Sequence, residues 1–150
     1  MAGSFIQVIP ADLTKINKAL NGLIQKTNNL EPALREIGEY LLEAHQERFK
    51  LEVAPDGELW DPLSPKTIKR KGNDDILQDS GTLRDLLHYQ ITGNTLEFGT
   101  NLEYGATHQF GREDDGIPQR EFLGIGSNPW NDTDHILNIL QDHLQNAVTV

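Results

Sequence analysis

Apolar residues recur at helical spacing through the first third of the chain. Leu13, Ile16, Leu20, Leu23 and Ile24 form one stripe, and Leu34, Ile37, Leu41, Leu42 and Phe49 form a second. "KTNNLEP" separates them, with Asn29 suited to cap the second helix and Pro32 tolerable in its first turn. Pro10 and Asp12 open the first helix, with Asp12 as its expected cap. Glu31, Glu36, Glu39, Glu43 and Glu47, mixed with Arg35, Arg48 and Lys50, are assigned to the outer face of the second. These residues predict a helical hairpin. Before it, "FIQVI" (Phe5 to Ile9) reads as an edge strand or a lead-in.

The period then changes. Residues 51–65, "LEVAPDGELWDPLSP", read as a loop with a Pro55-Asp56-Gly57 turn, and Trp60 plugs that loop onto the core. Ser64 and Pro65 start a short helix, "SPKTIKRKG", which Gly72 stops. Ser80 or Thr82 caps one helical turn in "LQDSGTLRDLL". "LLHYQIT" and "TLEFGT" alternate with period two around Gly93-Asn94, a β-hairpin pattern. "NLEYGATHQFG" reads next as a short helical turn containing Ala106 to Gln109, followed by an exposed "REDDG" loop and an extended "IPQREFLGI" segment. Thr133 or Asp132 caps the last helix, whose inner face carries Ile136, Leu137, Leu140, Leu144 and Val148. The expected fold is α+β. An N-terminal helical hairpin and a C-terminal helix pack on a small antiparallel sheet with a central β-hairpin, as a single domain over residues 1–150.

Composition narrows the function. There is no cysteine, which excludes thiolate metal sites and a cysteine nucleophile. No apolar run approaches the roughly 20 residues of a membrane span, and the N-terminus has no signal-peptide pattern. The formal net charge of −10 lies wholly beyond residue 71, where only Arg84, Arg112 and Arg120 offset the acids. Such a field repels phosphate and argues against tight non-specific DNA binding, while letting DNA pass without sticking.

Candidate chemistry is sparse. No histidine pair has the HExxH spacing, no serine sits in GxSxG, and no glycine run makes a phosphate loop. His108 with Asp114 or Asp115 is the one carboxylate–histidine grouping, and a metal-dependent hydrolase is its reading. "EDDG" is more simply a solvated turn. The basic run Lys66, Lys69, Arg70 and Lys71 suits phosphate in a small nucleic-acid-binding module, or an acidic partner surface. No cofactor is expected.

Several blocks, taken in order, add a resemblance. "RF" at Arg48-Phe49, "PDGELWDPLSPKTIKRKG", "ILQDSGTLRDLLHYQITGNTLEFGTNLEYGATHQFG" and "IPQREFLGI" closely resemble the phage virion morphogenesis family, over roughly residues 30–125. The sequence departs from that pattern at Gly105, where the family more often has alanine after the tyrosine, and at Leu86, where serine is common. The resemblance implies a structural, non-enzymatic protein of the virion neck or tail end, assembled in the host cytoplasm. Its implied role is tail completion and head–tail joining. The implied partners are copies of itself in a ring, with a hexamer as the candidate stoichiometry, and connector or tail-tube proteins. DNA would pass through the lumen. On this reading Lys66, Lys69, Arg70, Arg84, Phe110, Arg120 and Phe122 are expected at interfaces. Trp60, Gly81, Gly99, Tyr104, His108, Gly111 and Pro118 are expected to hold the fold.

Overall fold

The computed structural model describes residues 13–71, 76, 82–85, 87–100, 103–112, 114, 116–127 and 129–148. The "FIQVI" segment, Asp12 and Gly81 lie outside them. Helix α1 (Thr14–Thr27) is followed at once by α2 (Glu31–Leu51). The link turns on Asn28, which is left-handed at φ 52° and donates its N–H to Ile24 O, an αL helix ending of the kind asparagine tolerates. Asn29 Oδ1 then accepts the Glu31 N–H at 3.2 Å, and Pro32 lies in the first turn of α2, as its fixed φ allows.

Short α3 (Pro65–Lys71) is capped by Ser64, whose Oγ accepts the Thr67 N–H at 3.2 Å. After the turn α4 (Thr82–Asp85), strands β1 (His88–Thr92) and β2 (Thr95–Gly99) pair antiparallel, with Thr92 opposite Thr95. Gly93 holds φ 60° in the two-residue turn, the conformation that favours glycine there. Helix α5 (Glu103–Phe110) lies within the "NLEYGATHQFG" segment and contains Ala106 to Gln109 as expected. Helix α6 (Asp132–Val148) ends the described chain.

The main core lies where α1 and α2 meet α6. It contains Ile16, Leu23, Leu30, Leu34, Ile37, Ile136 and Leu140. Both strands lie against α2. Gly38 makes that approach close, since a Cβ there would stand 2.6 Å from the Tyr89 ring. A second core gathers Phe49, Trp60, Ile76, Leu87, Phe122 and Leu123. Trp60 closes the 51–65 loop onto it as expected, edge-on to Phe49 with centroids 5.3 Å apart. Each such buried side chain contributes about 1.5–3 kcal/mol.

Two expectations change. Arg48, assigned to the polar face of α2, is buried, because the inner stripe runs on from Leu41 through His45 to Arg48. Asp132 opens α6, but its carboxylate is committed to Arg48, Gly126 and Tyr40. The expected extended segment, residues 117–125, is non-helical and joins no strand ladder. An isolated bridge joins Arg112 to Ile117, and residues 120–126 are held by side-chain contacts together with backbone bonds from Arg120 N–H to His108 O and from Asp132 N–H to Gly126 O.

Candidate functional site: the braced return segment

The stretch that looked chemical in sequence, Tyr104 to Gly124, folds as α5, a closed loop and a return segment. The loop closes through Arg112 N–H to Ile117 O at 2.9 Å and Ile117 N–H to Arg112 O at 3.0 Å. Gly111 enters it at φ 75°, and a Cβ there would stand 2.9 Å from the Gln119 backbone nitrogen. Glycine alone suits both demands. Arg112 and Asp114 are exposed, and Asp115 lies outside the described residues.

Gln109 takes the place of a missing strand. Its side chain is buried. Its Oε1 accepts the N–H groups of Phe122 and Leu123, each at 3.0 Å, and its Nε2 donates to Leu123 O at 3.1 Å. One amide thus satisfies three backbone groups that could not otherwise be buried cheaply. His108 O accepts the Arg120 N–H at 2.8 Å. On the other side, Trp60 Nε1 donates to Glu121 O at 2.7 Å. The Arg120 guanidinium donates from Nε to Asp61 O at 2.9 Å and from Nη2 to Pro62 O at 3.2 Å. The return segment is therefore laced between α5 and the 51–65 loop.

Beyond it the chain reaches a buried ion pair. Arg48 Nη2 donates to Asp132 Oδ2, and the two side chains are 1% and 0% exposed. Both Asp132 oxygens and both Arg48 Nη atoms have partners, while the buried Arg48 Nε has no hydrogen-bond partner. Gly126 N–H donates to Asp132 Oδ2 at 2.5 Å, and the Tyr40 hydroxyl donates to Oδ1 at 2.6 Å. Arg48 Nη1 donates to Gly124 O at 3.1 Å, and the guanidinium carbon lies 5.3 Å from the centre of the Trp130 ring. Asp132 also sits at the start of α6, where the helix dipole favours a carboxylate. Burial, with the Asp132 hydrogen bond second, pushes the Tyr40 hydroxyl well above its ordinary range.

His45 completes this region. It is packed against Phe98, its Nδ1 meets Leu41 O at 2.7 Å, and its Nε2 accepts the Gly124 N–H at 3.3 Å. Those partners fix the neutral ring with the proton on Nδ1. Burial, and next the Arg48 charge, push its pKa down to about 4. His108 is half-buried and is likewise pushed down, by burial and then by Arg120.

Of the residues expected at interfaces, Lys66, Lys69 and Phe110 are on the surface. Arg84 is half-buried beside Asp85, 2.9 Å away. Arg120 and Phe122 are inside the protein, contacting the 51–65 loop and the second core. Gly99 is buried at the end of β2 and Pro118 is half-buried at the start of the return. The side chains of Arg70 and Tyr104 lie outside the described residues. Among the described residues no group of three or more histidine, aspartate or glutamate side chains converges to hold a metal ion. Sequence reading missed Arg48, Asp132 and Gln109 as a bracing set. The one available signal was the helical spacing that continues the buried stripe of α2 through His45 and Arg48.

The bracing joins the same sequence blocks that carry the resemblance. The family model of the phage virion morphogenesis family matches residues 11–145. The chain belongs to the phage virion morphogenesis family. The match takes in both cores and all the braces, from α1 into α6. A search among curated proteins and one among solved structures returned no match. No helix among the described residues is long and apolar enough to cross a membrane.

Proposed function

We propose that this virion morphogenesis protein completes the tail and joins it to the head, acting as a homo-oligomeric ring at the neck or tail end. The observation that carries the reading is the family match over residues 11–145. The braced architecture supports it. A joint that transmits load needs its loops fixed, and here an arginine, a tryptophan and a glutamine tie the return segment to two other parts of the chain. Surface composition supports a self-associating reading. Phe110 is 59% exposed, and aromatic side chains are enriched in the buried centres of subunit interfaces.

The ring encloses a lumen for DNA. Asp114, Glu121, Asp134 and Asp142 are exposed and belong to the acidic part of the chain. Facing inward, they would keep phosphate from sticking. The basic face of α3, with Lys66 and Lys69 exposed, then meets an acidic surface of a neighbouring subunit or of a connector or tail-tube protein. The chain acts as a structural part of the virion, without catalysis.

Deletion of the coding sequence in the producing phage tests this. Filled heads and separate tails should accumulate, and purified protein added to the lysate should restore joined, infectious particles. Joined particles without the protein would overturn the reading.

A further inference from the structure

The outer surface of α1 is positively charged in a chain whose net charge is −10. The helix carries three lysines and no acid. Lys15, Lys18 and Lys26 are all exposed, and none makes an ion pair among the described residues. With Gly22 they stand at i, i+3, i+7 and i+11, one row along the helix. Gly22 is the odd member. Glycine inside a helix lowers its stability, and a Cβ there would meet nothing within 4 Å. No packing among the described residues calls for glycine at this place. It leaves a gap in the middle of the lysine row, through which another surface can come close.

The outer face of α2 has the opposite sign. Glu36, Glu39, Glu43 and Glu47 are exposed and repeat the i, i+3, i+7, i+11 spacing, with Lys50 beyond them. Both rows are therefore about 16 Å long, at roughly 1.5 Å per residue. Glu39 accepts the Tyr89 hydroxyl at 2.5 Å, and Glu36 lies 3.2 Å from His143 Nε2. Glu43 and Glu47 make no ion pair among the described residues. Like charges one turn apart repel, so each row is unfavourable until an opposite charge covers it. The two rows do not cover each other within one chain, where both face solvent.

We propose that the lysine row of α1 docks on the glutamate row of α2 in a second copy of this chain. The two helices run antiparallel. That direction aligns Lys15 and Lys18 with Glu47 and Glu43, the carboxylates that have no ion pair within the chain. It also sets two lysines near the C-terminal end of α2, the negative end of the helix dipole. Gly22 then faces Glu39, and Lys26 faces Glu36. The rows belong to different helices, so each copy keeps one row free for the next, and the contact repeats head to tail. Complementary charge fixes which faces meet. This contact rests on the homo-oligomeric reading above and gives it a surface.

Charge reversal tests it. One variant carries Lys15→Glu and Lys18→Glu, the other Glu43→Lys and Glu47→Lys. All four positions are exposed, so circular dichroism should report the wild-type fold. Light scattering should show each variant alone as a monomer at a concentration where wild type is assembled. An equal mixture of the two should assemble again, since each supplies the charge the other has lost. The chain carrying all four changes should assemble with itself and not with wild type. Gly22→Leu should also weaken assembly while the monomer stays folded. Assembly kept by both variants alone would overturn the contact and leave the ring standing. Loss that the mixture does not restore would overturn it as well. A wild type that ends as a dimer would contradict the head-to-tail repeat. A wild type that is monomeric at every concentration would overturn the contact and the ring together.

Discussion

Arg48 and Asp132 meet as a fully buried ion pair although 84 positions separate them in the chain. The pair joins α2 to the first residue of α6 and holds Gly124 and Gly126 between them. Removing one partner leaves the other charge buried and uncompensated. Asp132→Asn should lower stability by about 3–5 kcal/mol. Replacing both, as in Arg48→Met with Asp132→Leu, should cost less than the sum of the single changes. Urea unfolding of the two single variants and the double variant measures the coupling.

Gln109 gives a sharper local test. Gln109→Ala leaves two N–H groups and one carbonyl without their partner. The expected cost is about 2–4 kcal/mol, from unsatisfied groups at roughly 1–3 kcal/mol each with partial relaxation. Hydrogen exchange at the Phe122 and Leu123 amides should accelerate more than at Ile136. Gln109→Glu keeps the acceptor but turns a carboxylate oxygen toward Leu123 O, so it should also destabilise.

The elements were legible where local chemistry decides them. Asn29, Ser64 and Gly93-Asn94 mark two helix starts and a hairpin turn, and each acts through groups a few residues away. The braces were not legible, because their partners are far apart in the chain. Nothing near Gln109 shows that its amide will face a strand-like segment, and an isolated Arg48 on a helix rich in charge reads as solvated. Arg120 illustrates the same limit. An arginine next to an aromatic suits an interface, yet here the backbone carbonyls of Asp61 and Pro62 take its donors inside the monomer. Asp132 suits a helix cap in sequence and is claimed instead by Arg48.

His45 makes stability depend on pH. The folded state holds the ring neutral with a pKa of about 4, against 6.5 when unfolded. The unfolded chain therefore binds a proton more readily between those values. The stabilisation is fully present above pH 6.5 and is lost as pH falls through 6.5 toward 4. From pH 7.5 to pH 5 this amounts to about 2 kcal/mol. A His45→Gln variant should lose that part of the slope, which urea midpoints at the two pH values would show.

Two glycines at positive φ should differ in their tolerance of alanine. Gly93→Ala meets open space and carries only the backbone penalty, about 1 kcal/mol. Gly111→Ala adds a clash with the Gln119 backbone and should cost visibly more. Thermal denaturation of the two variants ranks them, and equal shifts in Tm would contradict the close approach at Gly111.

The most direct measurement of the central claim is cryo-electron microscopy of the assembled particle. The account predicts a closed ring of this chain at the neck or tail end, with the acids beyond residue 71 lining the lumen. Particles in which the chain is absent, or bound as isolated monomers away from the head–tail axis, would contradict it.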